Sequence, residues 1–129
     1  MNIMSQFSLI GRTALVTGAR REIGRAIALT LSELGARLAI HHAGTAEETA
    51  DADAVVQEID AAGGVARAFG QDFATDDAGR LLANAVSRWA AVDILVLNAS
   101  IELPEAYQDI SRAHFDRQIA VNLRTPLEL

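Results

Sequence analysis

One stretch of this chain combines residue types and spacing that suit phosphate binding. Residues 17–24, Thr-Gly-Ala-Arg-Arg-Glu-Ile-Gly, lie between an apolar run at 12–17 and a segment whose apolar residues recur at helical spacing. A strand, a glycine turn and a helix N-terminus leave unpaired backbone N–H groups and the positive end of the helix dipole at one spot. Gly18 should allow the tight turn, and Gly24 should let the helix pack closely. The stretch predicts a phosphate cradle, although an ordinary strand–helix turn would use the same glycines.

Polar residues also follow the later apolar runs. Asp72 comes after the third run, the tripeptide Asn-Ala-Ser at 98–100 after the fourth, and Asn122 in a later helix. In a doubly wound sheet, ligands bind in the crevice at the carboxyl ends of the strands. Thr17, Asn98 and the loops that follow them are therefore expected to border one crevice.

In combination, these residues resemble the short-chain dehydrogenases/reductases over essentially the whole chain. The stretch 17–24 is similar to the signature Thr-Gly-x-x-x-Gly-x-Gly, except that Glu22 replaces the middle glycine. Asp72 resembles the adenine-contacting Asp, and residues 97–100 resemble an Asn-Asn-Ala-Gly turn in which Leu97 and Ser100 depart from the pattern. Asn122 is similar to the Asn of the catalytic tetrad, which holds a water that relays protons to a lysine.

The resemblance implies a dinucleotide cofactor and the residues that contact it. The Asp72 side chain and the Phe73 amide would meet the adenine edge, and the turn at 98–100 would pass the ribose. The expected cofactor-contacting residues are Gly18, Arg20, Arg21, Ile23, Gly24, His42, Asp72, Phe73, Asn98, Ala99 and Ser100.

The charges around the second strand favour NADP(H) over NAD(H). An NAD-preferring site carries Asp or Glu at the end of that strand to bind the ribose 2′-hydroxyl. Here His41 and His42 end the strand, and the next carboxylate is Glu47. Arg20 and Arg21 could reach a 2′-phosphate, and Arg21 stands where NADP-preferring relatives often carry a basic residue. The alternative is that both arginines are solvated surface charges.

Two features near the cradle need separate interpretations. Glu22 adds a carboxylate whose repulsion of a phosphate about 6 Å away is about 2–3 kcal/mol at an effective dielectric of 20. We expect its side chain to turn towards solvent or towards Arg20 and Arg21; the alternative is a cradle that has lost cofactor affinity.

His41 and His42 are strand neighbours that point to opposite faces, so we expect no metal site. His42 should border the adenosine.

The reaction that the resemblance implies is hydride transfer between nicotinamide and a small-molecule carbonyl or secondary alcohol. The family's proton donor is the Tyr of a Tyr-x-x-x-Lys motif, assisted by a Ser. Tyr107 is the only tyrosine, and no lysine occurs anywhere, so all eleven basic residues are arginines. We expect residues 1–129 to be the cofactor-binding half of a longer enzyme and inactive alone. A non-catalytic dinucleotide-binding or interaction module, and a half-domain completed by another chain, remain alternatives.

Alternating strand and helix patterns must position these groups. Strands are expected over 12–17, 37–41, 65–69 and 94–97, and helices from Ile23, over 46–62, after a Thr75 cap and after a Ser111 cap. The alternation predicts an α/β, doubly wound, Rossmann-type parallel sheet in the order 3-2-1-4. The fourth strand is continuously apolar, as in strands covered on both faces, but would be an exposed edge if nothing extended the sheet.

The early turns of the second helix carry an acidic cluster, expected to be a solvated face: Glu47, Glu48, Asp51 and Asp53. The last helix carries an apolar stripe: Phe115, Ile119, Leu123 and Leu127.

Composition excludes several classes of function. The chain has 129 residues, half of them hydrophobic, which suits one domain with a core. A net charge of −6 argues against nucleic acid and anionic membranes as partners, and the lack of cysteine excludes disulfides and thiol catalysis. No apolar run approaches the roughly 20 residues of a spanning helix, and residues 1–10 contain no Lys or Arg to begin a signal peptide. We therefore expect a cytoplasmic protein, and the resemblance implies a homo-oligomer.

Overall fold

The computed structural model describes residues 3–129 and forms a parallel sheet of four strands. The strands are β1 Thr13–Val16, β2 Arg37–His42, β3 Val65–Gly70 and β4 Ile94–Val96. The helices are α1 Glu22–Glu33, α2 Ala46–Ala61, α3 Ala78–Ser87, α4 Arg112–Ile119 and α5 Thr125–Glu128. Short 3₁₀ segments cover Ile3–Phe7 and Tyr107–Asp109, and a π-helical segment, Ala120–Arg124, joins α4 to α5. The signal-peptide expectation for residues 1–10 falls partly on residues 1 and 2, which lie outside the described residues.

The strand order confirms the sequence prediction. The sheet runs β3-β2-β1-β4, and every neighbouring pair is parallel. In the register, Ala14 of β1 pairs with Leu38 of β2 on one side and with Ile94 of β4 on the other. Parallel neighbours require crossover connections, which the helices supply. The carboxyl ends of the strands therefore share one edge of the sheet.

Alternation along β1 divides the core between two layers. Ala14 and Val16 belong to a buried cluster that also contains residues of α1 and α2, whereas Leu15 belongs to a second cluster with Leu82 and Val86 of α3. Successive strand residues point to opposite faces, so the four-residue strand contributes to both layers. Helices on both faces of a parallel sheet are the doubly wound arrangement.

The start of α3 differs from the prediction. Thr75 was expected to cap this helix, but its hydroxyl donates to the Asp72 carbonyl at 2.7 Å and accepts from Gln71 at 2.9 Å. The helix begins at Ala78 after Asp77, whose φ is +56° and whose side chain makes no capping bond. The Thr75 assignment was wrong because a local turn claims the hydroxyl before the helix starts.

The helix predicted after the Ser111 cap, which the structure divides into α4, the π-helical segment and α5, begins as predicted. Its apolar stripe is exposed. The Ser111 hydroxyl accepts from the His114 amide at 3.1 Å, which confirms the N-cap. The apolar stripe remains between 40% and 80% exposed: Phe115, Ile119, Leu123 and Leu127. Leu95 of β4 is 39% exposed and the following Leu97 is 52% exposed. Within residues 3–129, β4 is the outer strand of the sheet, as expected if nothing extends it, and its side chains are only partly buried rather than covered on both faces.

Candidate functional site

A cavity of about 350 Å³ lies where the strands end. All the residues expected to contact a cofactor line it: Gly18, Arg20, Arg21, Ile23, Gly24, His42, Asp72, Phe73, Asn98, Ala99 and Ser100. The wall also includes residues without a predicted contact: Glu22, His41, Ala43, Glu48, Ile101, Arg117 and Val121. The loops after the strands converge here because all four strands point the same way.

Gly18 and Gly24 occupy positions that have no room for a side chain. Gly18 has φ +61°, and a Cβ there would lie 2.9 Å from the Ala99 Cα. A Cβ on Gly24 would lie 2.2 Å from the Gly18 carbonyl oxygen and 2.6 Å from the Asn98 Nδ2. Contacts this short cannot exist without backbone movement, so both glycines are needed for the approach of α1 to the strand ends.

The N-terminus of α1 has no side-chain cap. Arg21 occupies the cap position in an extended conformation and makes no capping hydrogen bond. The first three helical residues, Glu22–Gly24, line the cavity. In α2, by contrast, Thr45 accepts from the Glu48 amide at 3.2 Å. Within the part of the chain that the structure describes, the backbone donors of the first turn of α1 therefore have no side-chain partner, and they border the cavity at the positive end of the helix dipole.

Glu22 adopts a backbone conformation that glycine favours. Its φ is +49°, in the left-handed region, and its side chain is exposed. In the described chain, no ion pair joins Glu22 to Arg20 or Arg21. Of the two orientations expected from the sequence, the side chain therefore takes the one towards solvent.

Thr17 and Asn98 join the turn after β1 to the turn after β4. The Thr17 hydroxyl accepts from the Asn98 and Ala99 amides, each at 3.0 Å. In return, the Asn98 Nδ2 donates to the Thr17 carbonyl at 3.0 Å and to the Gly18 carbonyl at 3.1 Å. These four bonds fix two sides of the cavity relative to each other.

His41 is a site residue for which the sequence analysis predicted no contact, although it placed this residue at the end of the second strand. Its side chain is buried, Nδ1 accepts from the Gly18 amide at 3.0 Å, and Nε2 lies 2.9 Å from the Gln71 carbonyl. Its ring stacks on Phe73 with centroids 4.2 Å apart. Burial is the main cause that lowers the pKa of His41 to about 4, so the ring is neutral near pH 7. No sequence pattern reports which ring nitrogen is used, and only the position at a strand end could have suggested a role.

The two arginines of the cradle have different surroundings. The Arg20 Nε lies 3.1 Å from Glu48 and its Nη1 lies 2.5 Å from Asp51, and the guanidinium is largely buried. Two members of the acidic cluster thus bind Arg20, so the expectation of a purely solvated acidic face was wrong. Arg21 is exposed, and no ion pair is found for it within residues 3–129. Among the described residues, Arg21 is therefore the cradle cation without a carboxylate partner.

His42 and Asp72 line the outer part of the cavity. The His42 Nδ1 accepts from the Gly44 amide at 3.1 Å, and burial lowers the pKa of His42 below its ordinary value. Asp72 uses one oxygen to accept from the Ala74 amide at 2.9 Å, while the other lies 3.8 Å from Arg117. The Asp72 carboxylate therefore keeps acceptor capacity on the cavity side.

Asn122 does not line the cavity but contacts a residue that does. It lies in the π-helical segment, where its Oδ1 accepts from the Ile101 amide and its Nδ2 donates to the Ile101 carbonyl, each at 2.9 Å. Single π-helical turns within α-helices are frequent at functional sites. Tyr107 is 90% exposed and lies outside the cavity wall.

The comparison with protein families decides the classification. The model of the family described as short chain dehydrogenase matches residues 12–129. The chain belongs to this family. Its parallel 3-2-1-4 sheet is the Rossmann-type arrangement of the family, as predicted. Short-chain dehydrogenases are oxidoreductases.

Individual relatives agree with the family assignment. The L-rhamnose 1-dehydrogenase (NAD(P)(+)) of Azotobacter vinelandii is 42% identical over 116 residues, which cover 89% of this chain and 45% of the relative. A 3-oxoacyl-[acyl-carrier-protein] reductase of Staphylococcus epidermidis is 37% identical, with coverage of 89% and 46%. The chain thus spans about half the length of the curated relatives that it matches.

Solved structures match the fold closely. The 3-oxoacyl (acyl-carrier-protein) reductase of Agrobacterium tumefaciens, solved with NADP bound, gives a TM-score of 0.90 at 37% identity and covers 99% of this chain and 48% of that one. A blue fluorescent protein from a metagenomic library, in complex with NADPH, gives 0.86 at 34% identity, covering 94% and 49%.

No helix among residues 3–129 has the length and apolar character that crossing a bilayer requires. The same residues bring together no group of three or more side chains that could hold a metal ion.

Proposed function

We propose that the cavity binds the pyrophosphate and adenosine of NADP(H) and that this chain is the dinucleotide-binding part of an oxidoreductase. The observation that supports this most directly is the uncapped N-terminus of α1, whose first three residues line the cavity between Gly18 and Asn98. Unpaired backbone donors at the positive end of a helix suit a diphosphate. The cofactor would supply the hydride exchanged with a carbonyl or secondary alcohol of a small substrate.

Each part of the cavity has a proposed task. Asp72 and the Phe73 amide would bind the adenine edge, and the turn 98–100, held by Thr17, would face the ribose. Asn122 would position a water for proton transfer in the complete enzyme. For the whole protein we propose a cytoplasmic homo-oligomer, in keeping with the family.

The preference for NADP(H) is supported by the charges at the adenosine end. The end of β2 presents His42 where an NAD-preferring site would carry a carboxylate. Arg21 is exposed and unpaired within residues 3–129, whereas Arg20 is held by Glu48 and Asp51. Arg21 is therefore the cation that we assign to the 2′-phosphate, with Arg20 shaping the loop behind it.

Calorimetric titration of the purified protein with NADPH and NADH, at low and moderate salt, tests the proposal. We expect NADPH to bind more tightly, and His42→Asp to shift the preference towards NADH. Equal or tighter binding of NADH by the unmodified protein would refute the preference. Failure to bind either cofactor would refute dinucleotide binding itself.

A non-catalytic dinucleotide-binding module is the second candidate. It is favoured by the absence of any lysine from the chain and by the exposure of Tyr107 away from the cavity. We expect residues 1–129 to bind cofactor without oxidising NADPH in the presence of carbonyl substrates. Turnover by this chain would contradict that expectation and would require a proton donor other than the family's tyrosine.

A further inference from the structure

His41 makes two hydrogen bonds to the glycine turn, one through its ring and one through its backbone carbonyl. Its Nδ1 accepts from the Gly18 amide at 3.0 Å, and its carbonyl oxygen accepts from the Ala19 amide at 3.0 Å. Two successive amides of the glycine turn are thus directed into the end of β2. The amides of the following helical turn, which have no side-chain cap, are the ones that border the cavity.

The hydrogen bonds select one form of the ring. Nδ1 can accept from Gly18 only if it carries a lone pair, and Nε2 must then carry the proton donated to the Gln71 carbonyl at 2.9 Å. Burial disfavours the charged ring, and the stack on Phe73, at 4.2 Å and 16° between planes, fixes its orientation. The neutral ring therefore spans the gap between the glycine turn and the loop after β3.

A purely space-filling role does not account for these contacts. An aliphatic side chain of similar size would leave the Gly18 amide and the Gln71 carbonyl without their partners in a part-buried region. An unsatisfied buried group costs about 1–3 kcal/mol, so the turn would move to recover a partner. The turn is closely packed, since a Cβ added to Gly18 would lie 2.9 Å from the Ala99 Cα and one added to Gly24 would lie 2.2 Å from the Gly18 carbonyl oxygen.

We propose that His41 is a positioning residue for the dinucleotide site, holding the Gly18 amide so that the first turn of α1 presents its donors to the pyrophosphate. The inference rests on the proposed function and adds to it a residue whose role is to hold the glycine turn in place. Its effect on affinity acts through the glycine turn.

Two substitutions of similar size separate hydrogen bonding from packing. In His41→Asn, the amide Oδ1 takes the place of Nδ1 and can still accept from Gly18. His41→Leu offers no acceptor. We expect Asn to retain NADPH affinity close to that of the unmodified protein, and Leu to weaken it by about three- to tenfold, the equivalent of one lost hydrogen bond. His114→Leu, at a partly exposed histidine outside the cavity wall, is the control and should leave NADPH affinity unchanged.

Amide hydrogen exchange without ligand tests the hydrogen bond itself. In His41→Leu, the Gly18 amide should exchange faster, while the Ala19 amide, bound to the backbone of residue 41, keeps its protection. If the Leu variant does not fold, His41→Gln serves instead, because its amide reaches towards Gln71 but leaves Gly18 without an acceptor.

The outcomes separate this inference from the proposed function. Binding by the unmodified protein, together with equal affinity in the Asn, Leu and Gln variants that fold, would overturn the positioning role alone. Unchanged Gly18 exchange in the Leu or Gln variant would overturn the hydrogen bond on which the role depends. Absence of NADPH and NADH binding by the unmodified protein would overturn the proposed function, and the role of His41 in affinity with it.

Discussion

At the scale of single residues, Glu22 combines a left-handed backbone with a place on the cavity wall. Its counterpart in backbone conformation, Asp77, lies outside that wall. Glu22→Gly should tighten NADPH binding by about tenfold or less, because it removes a negative charge near the phosphates whose effect solvent already reduces. The melting temperature should change little, since the relief of left-handed strain is offset by the greater freedom of glycine in the unfolded chain.

Glu22→Gln is the matched control for this prediction. It removes the charge and keeps the side chain, so any difference between the Gln and Gly variants measures the steric part. Calorimetric titration of both with NADPH gives the comparison. Weaker binding in the Gly variant would mean that the carboxylate supports the cradle through a contact with Arg20 or Arg21.

Most residues of the cavity wall could be predicted, because strand ends are visible in the sequence. Gly18, Asp72 and Asn98 each follow an apolar run, and parallel strands bring such positions to one edge. His41 could not be predicted in this way. Alternation places its side chain on a face of the sheet, but its hydrogen bonds depend on the path of two loops that are distant in sequence.

At the scale of elements, the Arg20 pairs tie the glycine turn to α2. Arg20→Ala should lower the free energy of unfolding by about 1–3 kcal/mol, because Glu48 has a buried oxygen without a hydrogen-bond partner among the described residues and would lose its counter-ion. Arg21→Ala should alter stability by no more than about 0.5 kcal/mol, as for exposed residues generally. It should nevertheless weaken NADPH binding about tenfold and leave NADH binding unchanged.

Denaturant unfolding and cofactor titration of the two variants separate these roles. Glu48→Gln in combination with Arg20→Ala should recover part of the lost stability, since the uncompensated charge is then removed. If Arg20→Ala weakened NADPH binding selectively and left unfolding unchanged, the phosphate contact would belong to Arg20, and the assignment to Arg21 would be wrong.

The elements themselves were predictable where one local pattern dominates. The apolar runs gave the bounds of the four strands to within one residue, and the Ser111 cap was found because its hydroxyl binds the His114 amide, with no competing partner among the described residues. Thr75 was misassigned because Asp72 and Gln71 bind it first. The π-helical segment has no sequence signal of its own, and the bond between its Asn122 and Ile101 joins residues that are distant in sequence.

At the scale of the whole molecule, two sets of exposed apolar side chains stand out. One is the apolar stripe of the last helix, and the other is Leu95 and Leu97 at the edge strand. We expect the purified 129-residue chain to self-associate with increasing concentration, because such surfaces favour contact with other apolar groups. The double variant Phe115→Ser and Leu123→Ser should reduce this association without changing NADPH affinity.

Sedimentation velocity over a range of concentrations measures the association. Ile10→Ser is the control, because Ile10 is 81% exposed but belongs to neither set. A chain that stays monomeric at every concentration, or a control that acts as strongly as the double variant, would contradict the prediction.

The two hydrogen bonds between Asn122 and Ile101 have a mechanical consequence. A carboxamide carries the same donor and acceptor as a peptide group, so Asn122 offers Ile101 what a neighbouring strand would offer, a β-ladder one rung long. The cavity wall at Ile101 is thus hydrogen-bonded to the π-helical segment, whereas Gly18 and Asn98 are hydrogen-bonded to each other at the ends of β1 and β4. A shift of the π-helical segment would therefore move the Ile101 side of the cavity and leave the side formed by Gly18 and Asn98 in place.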